Sequence, residues 1–250
     1  REQASPPTKH RANSKSAPRR RTTMAKQIPE FEELPEVYRQ LLSSTWTERK
    51  ASFDRLADIV CQHTAEFAAA GKLPKAFDAL VECVADPNPK LMAHALTELK
   101  DRVFPSLSRH QHHLSDFAPS AVPTLAGACV SARRGAQRSA HETLRDFIAR
   151  VDSTRVLQPI ASLVEHGNQR MRETMMPHLA PVSADVYEKR PMLVSKYVPP
   201  AVAAVLRDRS GASHHQGQQI VKSLKEAFGE SWKDIVHHSQ VPGEVQALIV

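Results

Sequence analysis

Breaks in the apolar helical pattern of this 250-residue chain recur near residues 46, 88, 133, 168 and 209, at intervals of 42, 45, 35 and 41. Each break lies between two segments whose apolar residues fall at helical spacing. Phe53, Leu56, Ala57, Val60, Cys61 and Thr64 form one such face, and Met92, Ala95, Leu96, Leu99 and Val103 form another. One helix pair cannot bury its apolar stripe alone, so pairs repeated at a period near 40 must stack on their neighbours. Composition points the same way. Glycine is scarce (8) and aromatic residues make up 5%, a balance that suits helices joined by short loops and not a sheet protein.

The period and the two helices per unit are the signature of HEAT-type repeats. The expectation is an all-α, HEAT-repeat α-solenoid of about six helix pairs over residues 30–250, preceded by a disordered basic tail, 1–29. Pro35 suits the first position of a helix running to about Ser43, and Thr45 with Glu48 has the spacing of a capping box that starts the next at Trp46. A second pair begins near Pro74, and Asn88 caps a helix opened by Pro89. A polar segment, Ser106 to Asp116, separates it from pairs at about 117–131 and 136–149, 154–165 and 169–180, and 192–207 and 215–228. Gly135, Gly167 and Gly211 fall at within-pair turns, all of which emerge on one edge of such a stack.

The net charge of +7 belongs to the tail. Residues 1–29 hold eight Lys/Arg (Arg1, Lys9, Arg11, Lys15, Arg19, Arg20, Arg21 and Lys26) against Glu2, and the remainder balances at 26 basic and 26 acidic residues. The tail is rich in Ser, Pro, Arg and Lys and cannot bury enough apolar surface to offset the entropy of ordering. The chain opens on Arg1 without Met, as an excerpt of a longer protein would. Its start has no apolar block of a signal peptide, and the longest uncharged run, Phe117 to Ala132, is too short to span a bilayer. Cys61, Cys83 and Cys129 are odd in number, far apart and set in apolar stretches. Together these features predict buried reduced thiols in a soluble intracellular protein.

No Gly-rich phosphate loop, HExxH or GxSxG occurs, and no enzyme or cofactor is expected. His110, His112 and His113 lack a set of neighbouring ligands and read as a solvated loop, as do His214-His215 and His237-His238. Trp232 reads as packing for the last helices. The turns themselves carry the candidate binding residues. Trp46 opens a helix at the first turn, where it is either an exposed contact anchor or a core residue. Asn88 with Lys90, Arg133 with Arg134, Asn168 with Arg170, and Arg209 stand at the later turns. Each alone is a cap or a solvated charge. Together they place an aromatic, two amides and several cations at equivalent corners.

At these residues the chain resembles the TOG domain, a tubulin-binding HEAT module of microtubule regulators. Leu41-Leu42-Ser43-Ser44-Thr45-Trp46-Thr47-Glu48-Arg49-Lys50-Ala51 resembles the family's Trp-x-x-Arg opening pair. Ala85-Asp86-Pro87-Asn88-Pro89-Lys90-Leu91 resembles its second turn, and Glu165-His166-Gly167-Asn168-Gln169-Arg170-Met171-Arg172-Glu173 its fourth. Gly167 stands where the family often has Lys, and Ser213-His214-His215 occupies the stretch where its fifth-turn Arg is expected. The resemblance covers about residues 34–230.

The resemblance implies binding of the curved αβ-tubulin heterodimer along the turn edge. Trp46 would anchor on β-tubulin, and Asn88 and Lys90 would add polar contacts. Arg133, Arg134, Arg170 and Arg209 would pair with acidic surface toward α-tubulin, and Asn168 belongs to the same tubulin-binding set. The basic tail suits a polyanionic surface such as the microtubule lattice, or serves as a linker, import signal or nucleic-acid patch. A cytoplasmic, cytoskeletal site follows, with cilium, centrosome or spindle among its places. The competing reading is a HEAT or armadillo adaptor that binds a partner through its helix faces. A nucleic-acid-binding solenoid would need basic stripes in the repeats, which their balanced charge does not favour, and no membrane partner is expected.

Overall fold

The computed structural model describes residues 29–109, 111–132, 134–208 and 211–250, the side chains of 111–113, 134 and 211–214 excepted. The expected tail therefore lies outside the described residues, except for Pro29. Helices follow one another as hairpins. The first is α1 (Glu30–Leu41) with α2 (Trp46–Gln62), and a short α3 (Thr64–Ala69) leads onward. Next come α4 (Leu73–Glu82) and α5 (Pro89–Glu98), the latter continuing through a π-helical turn, Leu99–Val103, into α6 (Phe104–Ser108). After α7 (Gln111–Asp116) come α8 (Ala118–Ser131) with α9 (Arg134–Arg150), and α10 (Ser153–His166) with α11 (Gln169–Lys189). The chain ends with α12 (Pro191–Arg207) and α13 (Gly211–Phe228), then α14 (Ser231–His237) and α15 (Gly243–Ile249). The architecture is an all-α solenoid. First helices α4, α8, α10 and α12 pack in sequence as one layer, and α2, α5, α9, α11 and α13 form the other.

The layers share a continuous core. In the first half it is aromatic: Phe77 stacks on Phe117 with centroids 4.3 Å apart, and Phe104 meets Phe147 edge-on at 5.2 Å. In the second half Leu157, Ile160, Met175, Leu179, Val194, Val198 and Val202 fill the same role. Trp232 is buried, as its sequence position suggests, and its indole N–H donates to the Ile249 carbonyl at 3.0 Å, tying α14 to the last helix.

Several boundaries depart from the sequence expectation. α1 starts at Glu30, so Pro35 lies inside it. Glu30, Glu32 and Glu33 in its first turn complement the positive end of the helix dipole and favour the earlier start. The segment expected to be a polar separator is helical where described, because Leu107 and Leu114 are buried. Before it, Pro105 has no N–H for the Asp101 carbonyl. The helix there widens to a π turn, with Phe104 N–H donating to Leu99. α11 runs on to Lys189 through Pro177 and Pro181, held by Leu179, Val182 and Val186 in the core. Cys129 is buried, whereas Cys61 and Cys83 are partly exposed; all three thiols are free.

Glycine also plays a different part from the one expected. Gly135 and Gly211 lie in the first turns of α9 and α13, and only Gly167 is in a within-pair turn. The two left-handed glycines, Gly71 (φ 65°) and Gly229 (φ 55°), make the links between pairs. Gly167 has an ordinary φ of −70° but no room: a Cβ there would sit 2.2 Å from the Leu163 carbonyl oxygen and against Met171. That contact explains why a lysine is not accommodated at this point of the fourth turn. Gly167→Ala is expected to cost about 1–3 kcal/mol. In thermal unfolding this lowers Tm by several degrees, and an unchanged Tm would show that the turn relaxes freely.

Candidate functional site

The first two within-pair turns are joined by one guanidinium. Arg49, fourth residue of α2, donates from Nε and Nη2 to the two carboxylate oxygens of Asp86, both at 2.8 Å. Its Nη1 donates to the Ser43 and Ser44 carbonyls at 2.8 and 3.1 Å, so the end of the first helix and the turn of the next pair are held together. The side chains of Arg49 and Asp86 are only 13% and 9% exposed. Asp86 Oδ1 also accepts the Asn88 N–H at 2.8 Å, and Asn88 Oδ1 accepts the Lys90 N–H at 2.9 Å as the cap of α5. Burial pushes the Asp86 carboxyl upward, but the bonds from Arg49 and Asn88 outweigh it and hold the group below its ordinary value.

α2 begins at Trp46, but not through the expected Thr45–Glu48 capping box. The Thr45 side chain makes no cap bond. Ser43 takes its place: its hydroxyl oxygen accepts the Thr45 N–H at 3.1 Å and its O–H donates to the Glu48 carboxylate. With Glu48 engaged there, the reciprocal box cannot close. The Trp46 ring that follows is half-buried, not fully exposed, and the Lys90 ammonium lies 5.4 Å from its centroid. Leu42 on the same turn is 86% exposed. The first corner thus combines an indole, a cation over its face and a bare leucine, on backbone fixed by Arg49.

The fourth and fifth turns repeat the device in the same register. Arg172, fourth residue of α11, donates to the Val164 and Glu165 carbonyls at 3.1 and 3.2 Å and to Asp208 at 2.6 Å. Asn168 Oδ1 accepts the Met171 N–H at 3.0 Å, so it caps α11 as Asn88 caps α5. Arg170 is exposed and lines a groove of about 490 Å³ between α9 and α11, with Gln137 and His141 opposite. Further along, burial, the Arg145 charge and His141 together push the His178 imidazole below its ordinary value.

Of the sequence candidates, Trp46, Asn88 and Lys90 form one cluster, and Asn168 and Arg170 stand on a second corner. Arg133 and Arg209 lie outside the described residues. Arg134 opens α9, and its side chain lies outside them too. The sequence reading passed over Arg49, Asp86, Arg172 and Asp208 as site elements. Their signal was present: Trp46-x-x-Arg49 and Gln169-x-x-Arg172 share a spacing, and each arginine is followed 36–37 residues later by an aspartate at a turn.

The site offers contact chemistry. No group of three or more His, Cys, Asp or Glu suited to a metal occurs among the described residues, and His110, His112 and His113 fall outside the described side chains. Burial pushes the Cys83 and Cys129 thiols up to about 12, which leaves them protonated. No helix among the described residues is long and apolar enough to cross a membrane.

The sequence matches no protein-family model and no curated protein. Solved structures do match the fold. One concerns TOG–tubulin binding specificity in microtubule dynamics and mitotic spindle formation; it aligns with a TM-score of 0.58 at 13% identity, over 83% of this chain and 84% of that one. Another is the MAST/Orbit N-terminal domain, with a TM-score of 0.54 at 16% identity, over 85% of this chain and 92% of that one. The chain has a TOG-like fold.

Removing the guanidinium of a nearly buried pair leaves the Asp86 charge stranded. Arg49→Ala is therefore expected to cost about 3 kcal/mol in urea unfolding. Arg49→Lys, which keeps charge but loses the fork, should fall between that variant and the native protein. His178 supplies a pH test. Its folded pKa lies below the ordinary 6.5, so the unfolded chain takes up a proton first as pH falls. The His178 contribution to stability is complete above pH 6.5 and is lost as pH drops from there through the lower folded value. The stability difference between pH 7.5 and 5.5 should be smaller in His178→Gln than in the native protein; an equal difference would contradict the assignment.

Proposed function

We propose that residues 30–250 act as one non-enzymatic binding domain that takes the curved αβ-tubulin heterodimer along the within-pair turns and so regulates microtubule dynamics. One observation carries the reading. Trp46, half-exposed at the first corner, is set by a buried Arg49–Asp86 bridge that also orders the second corner, with Asn88 and Lys90. An aromatic on preorganised backbone, ringed by polar groups, has the makings of a hot spot. The TOG-like fold supports tubulin as the partner.

In this reading Trp46 buries its indole against β-tubulin, with Leu42 beside it and Lys90 bridging the ring face to acidic surface. Arg170, with Arg133, Arg134 and Arg209, meets acidic surface toward α-tubulin. These charges act chiefly on orientation and association rate, so their contribution falls with salt. Asn168 serves the edge by capping the helix that presents Arg170. The basic residues 1–29 add a salt-sensitive contact with a polyanion such as the microtubule lattice. The place of action is the cytoplasm, on the microtubule cytoskeleton.

Truncating a desolvated tryptophan anchor costs about 2–4 kcal/mol. Gel filtration of Trp46→Ala with unpolymerised tubulin should therefore show affinity weakened tens-fold or more at unchanged thermal stability. Met192→Ala, an exposed residue at the start of α12, should bind as the native protein does. Undiminished co-elution of Trp46→Ala would reject the anchor.

A further inference from the structure

The second-helix layer is open between α9 and α11. α9 packs on α5 and α11 packs on α13, and between the two runs the groove that starts beside Arg170. Side chains four residues apart line its two sides, because residues at i and i+4 share one face of a helix. On α9 these are Gln137 and His141, and on α11 Arg170 and Thr174. Arg145 and His178 continue the two rows one turn further. Burial, Arg145 and His141 together hold the His178 imidazole below its ordinary value, so the rows face each other within electrostatic range.

The rows are rich in donors that have nothing to bind. Gln137, His141, Arg145 and the Arg170 guanidinium make no hydrogen bond or ion pair among the described residues. Thr174 is the exception, its hydroxyl donating to the Arg170 carbonyl at 2.9 Å. The acids nearby are mostly engaged elsewhere: Glu142 faces Lys100 and Arg138, and Asp146 pairs with Arg150. Glu173 does line the groove, where it accepts the Gln169 amide at 3.0 Å and tempers the charge at the Arg170 end. Two guanidiniums against that one carboxylate leave the groove positive. Val130 and Ala132 give it an apolar border on the α8 side.

We propose that this groove binds an extended acidic peptide segment, with carboxylates on Arg170 and Arg145 and aliphatic parts against Val130 and Ala132. From Gln137 to Arg145 the helix rises about 12 Å. About four residues of extended chain cover that length. Guanidinium forks match carboxylates, and Gln137 and His141 add donors between them. A dianionic phosphate fits less well, because Glu173 stands at the rim. Apart from Arg170 the contacts lie off the turn edge, and the proposal does not rest on tubulin as the partner.

The test is a nuclear magnetic resonance titration of the full chain with capped tetraglutamate. Backbone amides at 137–145 and 170–178 should shift together. The dissociation constant is read from those amides alone, which separates it from any contact with the basic residues 1–29. Capped tetraglutamine should leave them unmoved. Arg145→Gln with Arg170→Gln should raise that dissociation constant about fivefold, the size expected for two exposed ion pairs, at unchanged Tm. Shifts confined to residues 1–29, an equal response to tetraglutamine, or a dissociation constant indifferent to the two substitutions would overturn the proposal. An oligothymidylate that moves the same amides as strongly as tetraglutamate would overturn the choice of a carboxylate ligand. No tubulin enters the experiment, so its failure leaves the reading of the Trp46 corner standing.

Discussion

A single ion pair, Arg49 with Asp86, fixes the geometry on which the binding edge depends. Neither partner is worth much as a surface charge. Nearly buried, and bonded to two carbonyls of one turn and a carboxylate of the next, the guanidinium converts two flexible corners into one block. Trp46 lies three residues before Arg49 on the same helix, and Asn88 and Lys90 two and four residues after Asp86. The indole and the cation over its ring inherit their positions from the bridge.

The repetition of this device at Arg172 and Asp208 gives the edge a definite mechanical character. Its first two corners are locked to each other, and so are its last two. Between them α9 is tied back to α5, through Thr143 donating to the Leu96 carbonyl at 3.1 Å and Lys100 near Glu142 at 3.5 Å. On its other side it faces α11 across an open polar groove. The two corner blocks stand on either side of this groove, and beneath it α8 packs against both α10 and α11, which joins them into one stack.

Much of this was legible in the sequence, for physical reasons that differ by element. Helix pairs and the period came from apolar spacing, and Asn88-Pro89 and Asn168 announced helix starts because a carboxamide cap and an N1 proline act locally. Trp46 was legible as a corner residue, though its half-burial under Lys90 was not, because that contact crosses repeats. The early start of α1, the run of α11 through Pro177 and Pro181, and the helices before residue 117 were missed because core packing overrides local breakers. The arginine bridges were missed for a related reason: a basic residue in a helix's first turn looks solvated until the next repeat supplies its aspartate 36 or 37 residues on. Gly167 does stand in its turn, but the reason for a glycine was not legible, because the Leu163 carbonyl and Met171 that leave no room for a Cβ are brought there by the fold.

Hydrogen exchange on the protein with and without unpolymerised tubulin tests the central claim most directly, since it reports every corner and every helix face at once. The account predicts added protection at residues 42–49, 85–91 and 167–173 together, with the outer helix faces unchanged. Protection confined to the helix faces, or none at the corners under conditions of binding, would contradict it.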